Sequence, residues 1–393
     1  MTKKSELISI YLIMLTEILG WSLILPFLPF FALDLGATPF QVGLILAVFS
    51  VFQFVSAPII GKLSDRYGRK TLLIISQFST FIGFIILGFA NSIWMIVLSR
   101  VVDGLLGSNM TLAKAYLGDI SSGKNRQKNY GYMSAVFGIG FFIGPALGGF
   151  LATINYSLPS FLAAGFSLLT IILTITILRE PKIKREKVKL KINDFFPLKD
   201  FLQALKHPVL KNFLFEFFFF VTAFSTLTGS LALISEAQFN LGPGDVGFML
   251  MLVGLVRILF QLLVYSKLVD KFEERTLAIT GITITMISML FIAITTTQIS
   301  IYLALMLFSV GAGLTQPTFI SIVSSKAGDS ERGKFMGVMD AMRSVSQIIG
   351  PLLGGFVIQY FYPGILGFIG SGLMLIALII ELKFNPQKTK KTT

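Results

Sequence analysis

No cysteine occurs among the 393 residues, and there is a single histidine, His207. Disulfides, thiolate metal sites and cysteine nucleophiles are therefore excluded, and a lone imidazole cannot build a histidine metal centre. Charge is scarce as well. Asp, Glu, Lys and Arg make up 13% of the chain against 54% hydrophobic residues, and the mean hydropathy is +0.80. A soluble domain of this size needs charge over its whole surface, so that class is excluded too. No phosphate-cradling Gly-Lys-Ser/Thr loop is present, which argues against intrinsic ATP-driven work. What is abundant is Phe, with 39, and Gly, with 36. Both suit membrane helices.

Apolar runs occupy 7–32, 41–61, 71–90, 93–118, 130–153, 158–178, 209–236, 243–266, 276–296, 299–324, 335–361 and 363–381. Each approaches or exceeds the roughly 20 residues that cross a bilayer. The expected fold class is an all-α membrane protein of twelve spans. The 33 Lys and Arg against 20 Asp and Glu do not indicate nucleic-acid binding, because nearly all the basic residues fall in alternate gaps. Lys62, Arg66, Arg69 and Lys70 follow the second span, Lys124, Arg126 and Lys128 the fourth, Lys267, Lys271 and Arg275 the eighth, and Lys326, Arg332 and Lys334 the tenth. Ten more lie between Arg179 and Lys211, while the loops around 33–40, 91–92, 154–157, 237–242, 297–298 and 362 hold none. The positive-inside rule then places both termini and the central segment in the cytoplasm of a cell-membrane protein. The first run is too long for a signal peptide and lacks a small-residue cleavage site, so it is expected to remain.

The chain repeats itself. Gly61-Lys-Leu-Ser-Asp-Arg-Tyr-Gly-Arg-Lys70 and Ser266-Lys-Leu-Val-Asp-Lys-Phe-Glu-Glu-Arg275 stand 205 residues apart. Arg126 and Gly131 match Arg332 and Gly337, and Gly144-Pro-Ala-Leu-Gly-Gly149 matches Gly350-Pro-Leu-Leu-Gly-Gly355, both at 206. A constant offset indicates duplication of a six-helix unit, with the copies related by an axis along the membrane normal. The expected domains are a bundle over 1–178, a cytoplasmic linker over 179–208, a second bundle over 209–384 and a tail over 385–393.

The Gly61–Lys70 segment resembles the loop signature of the major facilitator superfamily, and the wider set resembles its twelve-helix drug–proton antiporter branch. Arg100-Val-Val-Asp-Gly104 with Gly107 resembles that branch's arginine motif. Gly140-Phe-Phe-Ile-Gly144-Pro145, followed by Gly148 and Gly149, resembles its exporter motif. Leu25-Pro26-Phe-Leu-Pro29 with Leu35-Gly36 resembles its first-helix signature. The resemblance implies two six-helix bundles that rock about a central site, and a cytoplasmic latch in which Asp65 faces the start of the eleventh helix in the outward-open state.

The residues support parts of this independently. Asp65 lies among Lys62, Arg66, Arg69 and Lys70, so it can accept charge-assisted hydrogen bonds, and Asp119 is a second possible partner for Arg66 or Arg69. Topology alone needs neither an acid nor the glycines Gly61 and Gly68. Gly140, Gly144, Gly148 and Gly149 share roughly one helix face and permit close helix approach, with Pro145 bending the helix. The second copy carries Ser266 and Glu273 where the first has Gly61 and Gly68, so its loop is expected to be looser or purely structural.

Seven charges remain inside spans: Arg100, Arg257, Arg343, Glu17, Asp103, Glu216 and Asp340. A charge at the bilayer centre costs at least about 2.5 kcal/mol, so each should face protein or water. Arg100 with Asp103, and Arg343 with Asp340, can pair at three-residue spacing. Glu17 has no basic neighbour in sequence and is the favoured proton carrier or counter-charge to a cationic substrate. Arg100 is its expected modulator, Glu216 the second candidate, and Asp103 an alternative. Arg257 can neutralise an anionic group or pair with Glu216 or Asp340.

The function expected is secondary transport by alternating access, as proton-coupled efflux of small amphipathic or drug-like compounds. Export of sugars, metabolites or lipid-linked compounds is the alternative within transport, and a receptor or scaffold the alternative outside it. The expected partners are a small-molecule substrate, protons and membrane lipids. Neither nucleic acid, metal nor cofactor is expected, and the chain is read as a monomer and not an enzyme.

Overall fold

A computed structural model describes residues 3–121, 124–181, 198–207 and 210–383. The basic centre of the linker (182–197) and the tail (385–393) lie outside the described residues, as do the side chains of Arg126 and Arg332. Among the described residues, twelve helices are long and apolar enough to span a membrane: Glu6–Asp34, Pro39–Tyr67, Arg69–Gly88, Ile93–Ile120, Ala135–Ala152, Ser157–Thr176, Leu210–Phe239, Pro243–Val269, Glu274–Ile294, Gln298–Val323, Gly333–Tyr360 and Ile365–Lys383. They are numbered here as spans one to twelve.

Several interruptions follow from local chemistry. The first span is helical over Lys3–Ile24 and again over Leu28–Asp34, with Pro29 near the start of the second piece, where its missing N–H leaves no bond unmade. The fourth breaks between Leu106 and Asn109, at Gly107 and Ser108. The eighth contains a π-helical turn, Gln261–Tyr265. Pro58, Pro145, Pro317 and Pro351 are all accommodated inside continuous helices.

The chain divides into two compact units, Met1–Phe196 with Leu241–Gly254, and Pro197–Asn240 with Leu255–Thr393. In the first, span one packs on spans five and six, and span three on spans four and six. In the second, span seven packs on eleven and twelve, and span nine on ten and twelve. The neighbour pattern repeats with the sequence. So does one brace: Lys70 Nζ donates to the Ile175 carbonyl at 2.8 Å, and Arg275 Nη2 donates to the Glu381 carbonyl at 2.9 Å.

Glycines set the closest helix approaches. A Cβ on Gly140, Gly144 or Gly148 would run into Ile18, Ser22 and the Leu23 backbone of span one. Gly350 and Gly354 meet Ser225 and Ser230 of span seven in the same way. The fifth span has a second contact through Gly149, which abuts Gly247 and the Pro243 carbonyl of span eight, inside the first unit. At the ends away from the basic loops, Tyr156 stacks on Phe31 with ring centroids 5.0 Å apart and donates to Asp34 Oδ2 at 2.7 Å. Burial, and then that hydrogen bond, push its phenol above the ordinary value.

Candidate functional site

The intramembrane charges of the first unit form one connected polar chain. Arg100 Nη1 lies 3.7 Å from Asp103 Oδ2, and the other Asp103 oxygen accepts from Thr80 Oγ1 at 2.8 Å. Thr80 accepts in turn from Asn109 Nδ2 at 2.9 Å, and the same amide donates to Glu17 Oε1 at 2.6 Å. Spans one, three and four are thereby linked through side chains alone. Arg100 and Asp103 are 4% and 5% exposed, and Glu17 is half-buried. The break in span four makes the arrangement possible. Gly107 closes on Asp103, where no Cβ fits, and its carbonyl accepts from Gln53 Nε2 at 3.2 Å. Asn109 then starts the second half-helix beside Glu17.

Thus Arg100 and Asp103 pair as their spacing allows, but Arg100 meets Glu17 only through three intervening side chains. Asn109 and Thr80 were not singled out in the sequence. They are uncharged, so no insertion penalty marks them, although the breaker run Gly107-Ser108-Asn109 was a readable signal. Glu17 Oε2, Arg100 Nη2, Asn109 Oδ1 and both amide atoms of Gln77 are buried with no hydrogen-bond partner among the described residues. Groups left open in this way can receive a proton, water or polar ligand atoms.

At the basic end, spans two and three are joined through Gly68 alone, at φ +109°. A side chain there would be strained by the backbone and would also strike Glu180. The Glu180 carboxylate accepts from the Arg69 and Lys70 amides at 2.6 and 3.1 Å, capping the free start of span three from a site 111 residues away. Arg69 is the hub: Nη2 lies 2.5 Å from Asp65, Nε 2.9 Å from Asp119, and Nη1 bonds Ser64. Arg66 is exposed, its guanidinium 5.1 Å from the Tyr67 ring centroid. Open space surrounds the Cβ position of Gly61, so packing in this conformation does not demand a glycine there. Glu180→Ala should speed amide exchange at Arg69 and Lys70 by about fivefold, the loss of a charged cap worth about 1 kcal/mol. Unchanged exchange by mass spectrometry of the first unit would remove the capping role.

The second unit departs from expectation. Glu216, the second proton-site candidate, is fully buried against Glu381, also fully buried. Arg275 Nε lies 3.3 Å from Glu381 Oε1. Glu381 was missed because it falls near the end of the last apolar run. Arg343 and Asp340 form no ion pair, and Arg257 pairs with neither Glu216 nor Asp340. Spacing permits such pairs, but Asp340 is exposed, Arg343 lies 5.9 Å from the Phe217 ring centroid, and Arg257 Nη2 bonds Gln316 Oε1.

The family model described as Major Facilitator Superfamily matches residues 10–327 and again 215–393. Tetracycline resistance protein, class H, from Pasteurella multocida is 29% identical over 399 aligned residues, covering 98% of this chain and 97% of the relative. Multidrug resistance protein 2 from Bacillus subtilis is 29% identical, covering 94% and 95%. The crystal structure of the human organic anion transporter MFSD10 superposes with a TM-score of 0.75 over 97% of this chain and 100% of its own, a likeness of fold at 21% identity. Twelve spans, a duplicated six-helix plan and a family match along most of its length agree: this chain belongs to the major facilitator superfamily, as a multi-pass secondary transporter of small organic compounds and not an enzyme.

Proposed function

We propose that the protein exports drug-like compounds in exchange for protons by alternating access. The observation that carries this reading is the buried chain from Glu17 through Asn109, Thr80 and Asp103 to Arg100, which joins an acid that can change protonation to a fixed cation across three helices. Glu17 takes up and releases the coupling proton, and the amide and hydroxyl between it and Asp103 transmit the change in charge. Asp103, held against Arg100, is the poorer carrier, because a neighbouring cation favours the ionised carboxylate. Glu216 is a second proton site. The names of the relatives, tetracycline resistance and multidrug resistance, supply the compound class. The Gly140–Gly149 face and the Asp65–Arg69–Asp119 cluster serve as the exporter contact and the cytoplasmic latch. Both termini lie in the cytoplasm, the bundles over 1–178 and 209–384 rock about the 179–208 linker, and the working unit is a monomer within membrane lipid.

The test uses purified protein in proteoliposomes with an imposed proton gradient and tetracycline among a panel of drug-like compounds. Flux should follow the gradient and collapse with a protonophore. Flux indifferent to the gradient would overturn proton exchange. Substrate affinity should depend on pH through the protonation of Glu17, and Glu17→Gln should flatten that dependence. A slope unchanged in this variant moves the coupling proton to another group.

A further inference from the structure

The second unit holds two intramembrane arginines that no acid among the described residues pairs with. Arg257 on span eight and Arg343 on span eleven lie close enough to repel one another. Each is half-buried, and no carboxylate among the described residues forms an ion pair with either. Asp340, three residues before Arg343, is exposed and forms no ion pair among the described residues. Arg257 Nη2 donates to Gln316 of span ten, and Arg343 lies 5.9 Å from the Phe217 ring centroid on span seven, with its Nε buried and without a partner. Phe217 is itself one edge of an aromatic cluster, 6.4 Å from Phe319, which is 6.3 Å from Phe220. The π-helical turn Gln261–Tyr265 begins four residues after Arg257, a local widening of the kind that recurs at binding sites.

Two like charges inside an apolar bundle disfavour each other and the membrane, so their retention without an acid needs a negative group supplied from outside the chain. Guanidinium suits this task. It stays charged, presents a planar fork to a carboxylate and stacks on aromatic faces. We propose that Arg257 and Arg343 form the anion-recognition part of the substrate site and select compounds bearing a carboxylate or comparable anionic group on an aromatic body. This rests on the export reading above and replaces the cationic preference that the acids of the sequence suggested. Gln316 orients Arg257, and the buried Phe217 ring backs Arg343.

The experiment measures equilibrium binding to the purified full-length protein for three acid and methyl-ester pairs, built on quinolone, naphthalene and salicylate skeletons. For at least one pair the acid should bind about tenfold or more tighter than its ester, the range of a charge-assisted hydrogen-bonded contact. Arg343→Gln and Arg257→Gln should each erase that preference by weakening the acid alone, and Arg343→Lys should keep part of it. Ester affinity reports that a variant is folded, and Arg343→Gln carries the test if loss of the Gln316 partner unfolds Arg257→Gln. Equal or absent binding of acid and ester in all three pairs, or a preference that survives in the folded variants, overturns the proposal. Failure of the export reading shows separately, as absence of gradient-driven flux for every compound.

Discussion

Arg100→Met should lower the stability of the purified protein by about 3–5 kcal/mol and abolish transport, because it leaves a buried carboxylate with no counter-charge. Asp103 is 5% exposed, and Thr80 would be its remaining hydrogen-bond donor. The double variant Arg100→Met with Asp103→Leu removes both charges together and should recover most of the lost stability, since an apolar pair replaces a buried ion pair at little net cost. It should not recover transport. Thermal unfolding of the two variants, beside flux in proteoliposomes, separates the roles. Equal stability loss in the single and the double variant would show that the pair is not the source of the effect. Recovery of flux in the double variant would make the pair scaffolding only.

The second large effect is steric. Gly148→Val should destabilise by about 3 kcal/mol or more, since its Cβ would fall on the Leu23 backbone, which has no rotamer to yield. The control is Gly165→Ala, at a span-six position with nothing within 4 Å of the new methyl group. That change should be neutral or stabilise by about 0.4–1 kcal/mol through reduced freedom of the unfolded chain. A Gly148→Val protein as stable as the control would mean that spans one and five can part at this point without loss.

Spans and duplication were legible because they are written in properties that a bilayer enforces: length, hydropathy and the sidedness of Lys and Arg. Arg100 with Asp103 was legible from charge and spacing, and Asp119 as a partner of Arg66 or Arg69 from charge, with packing choosing Arg69. The chain between Asp103 and Glu17 was not, because Thr80 and Asn109 carry no charge and lie 29 residues apart in sequence. Glu180 was hidden by its place at the start of a polar stretch, where nothing foretells that it caps a helix 111 residues earlier. Arg343 shows the opposite failure. Its three-residue spacing from Asp340 suggested a local pair, whereas the side chain turns to Phe217. Helical spacing states which contacts are possible, and packing chooses among them.

The two halves also differ where the polar chain sits. At the repeat offset, Thr80, Asp103 and Asn109 correspond to Thr285, Ser309 and Thr315, all buried and none charged. The duplicated brace has fared differently. In both units a cation at the end of the loop signature, Lys70 or Arg275, holds a main-chain carbonyl near the end of the unit's last span, at Ile175 or Glu381. A backbone acceptor is present whatever side chain the residue bears. The main-chain part of the brace therefore depends on a long cationic donor at position 70 or 275 and not on the side chain at 175 or 381, although Arg275 also meets the Glu381 carboxylate, 3.3 Å from its Nε.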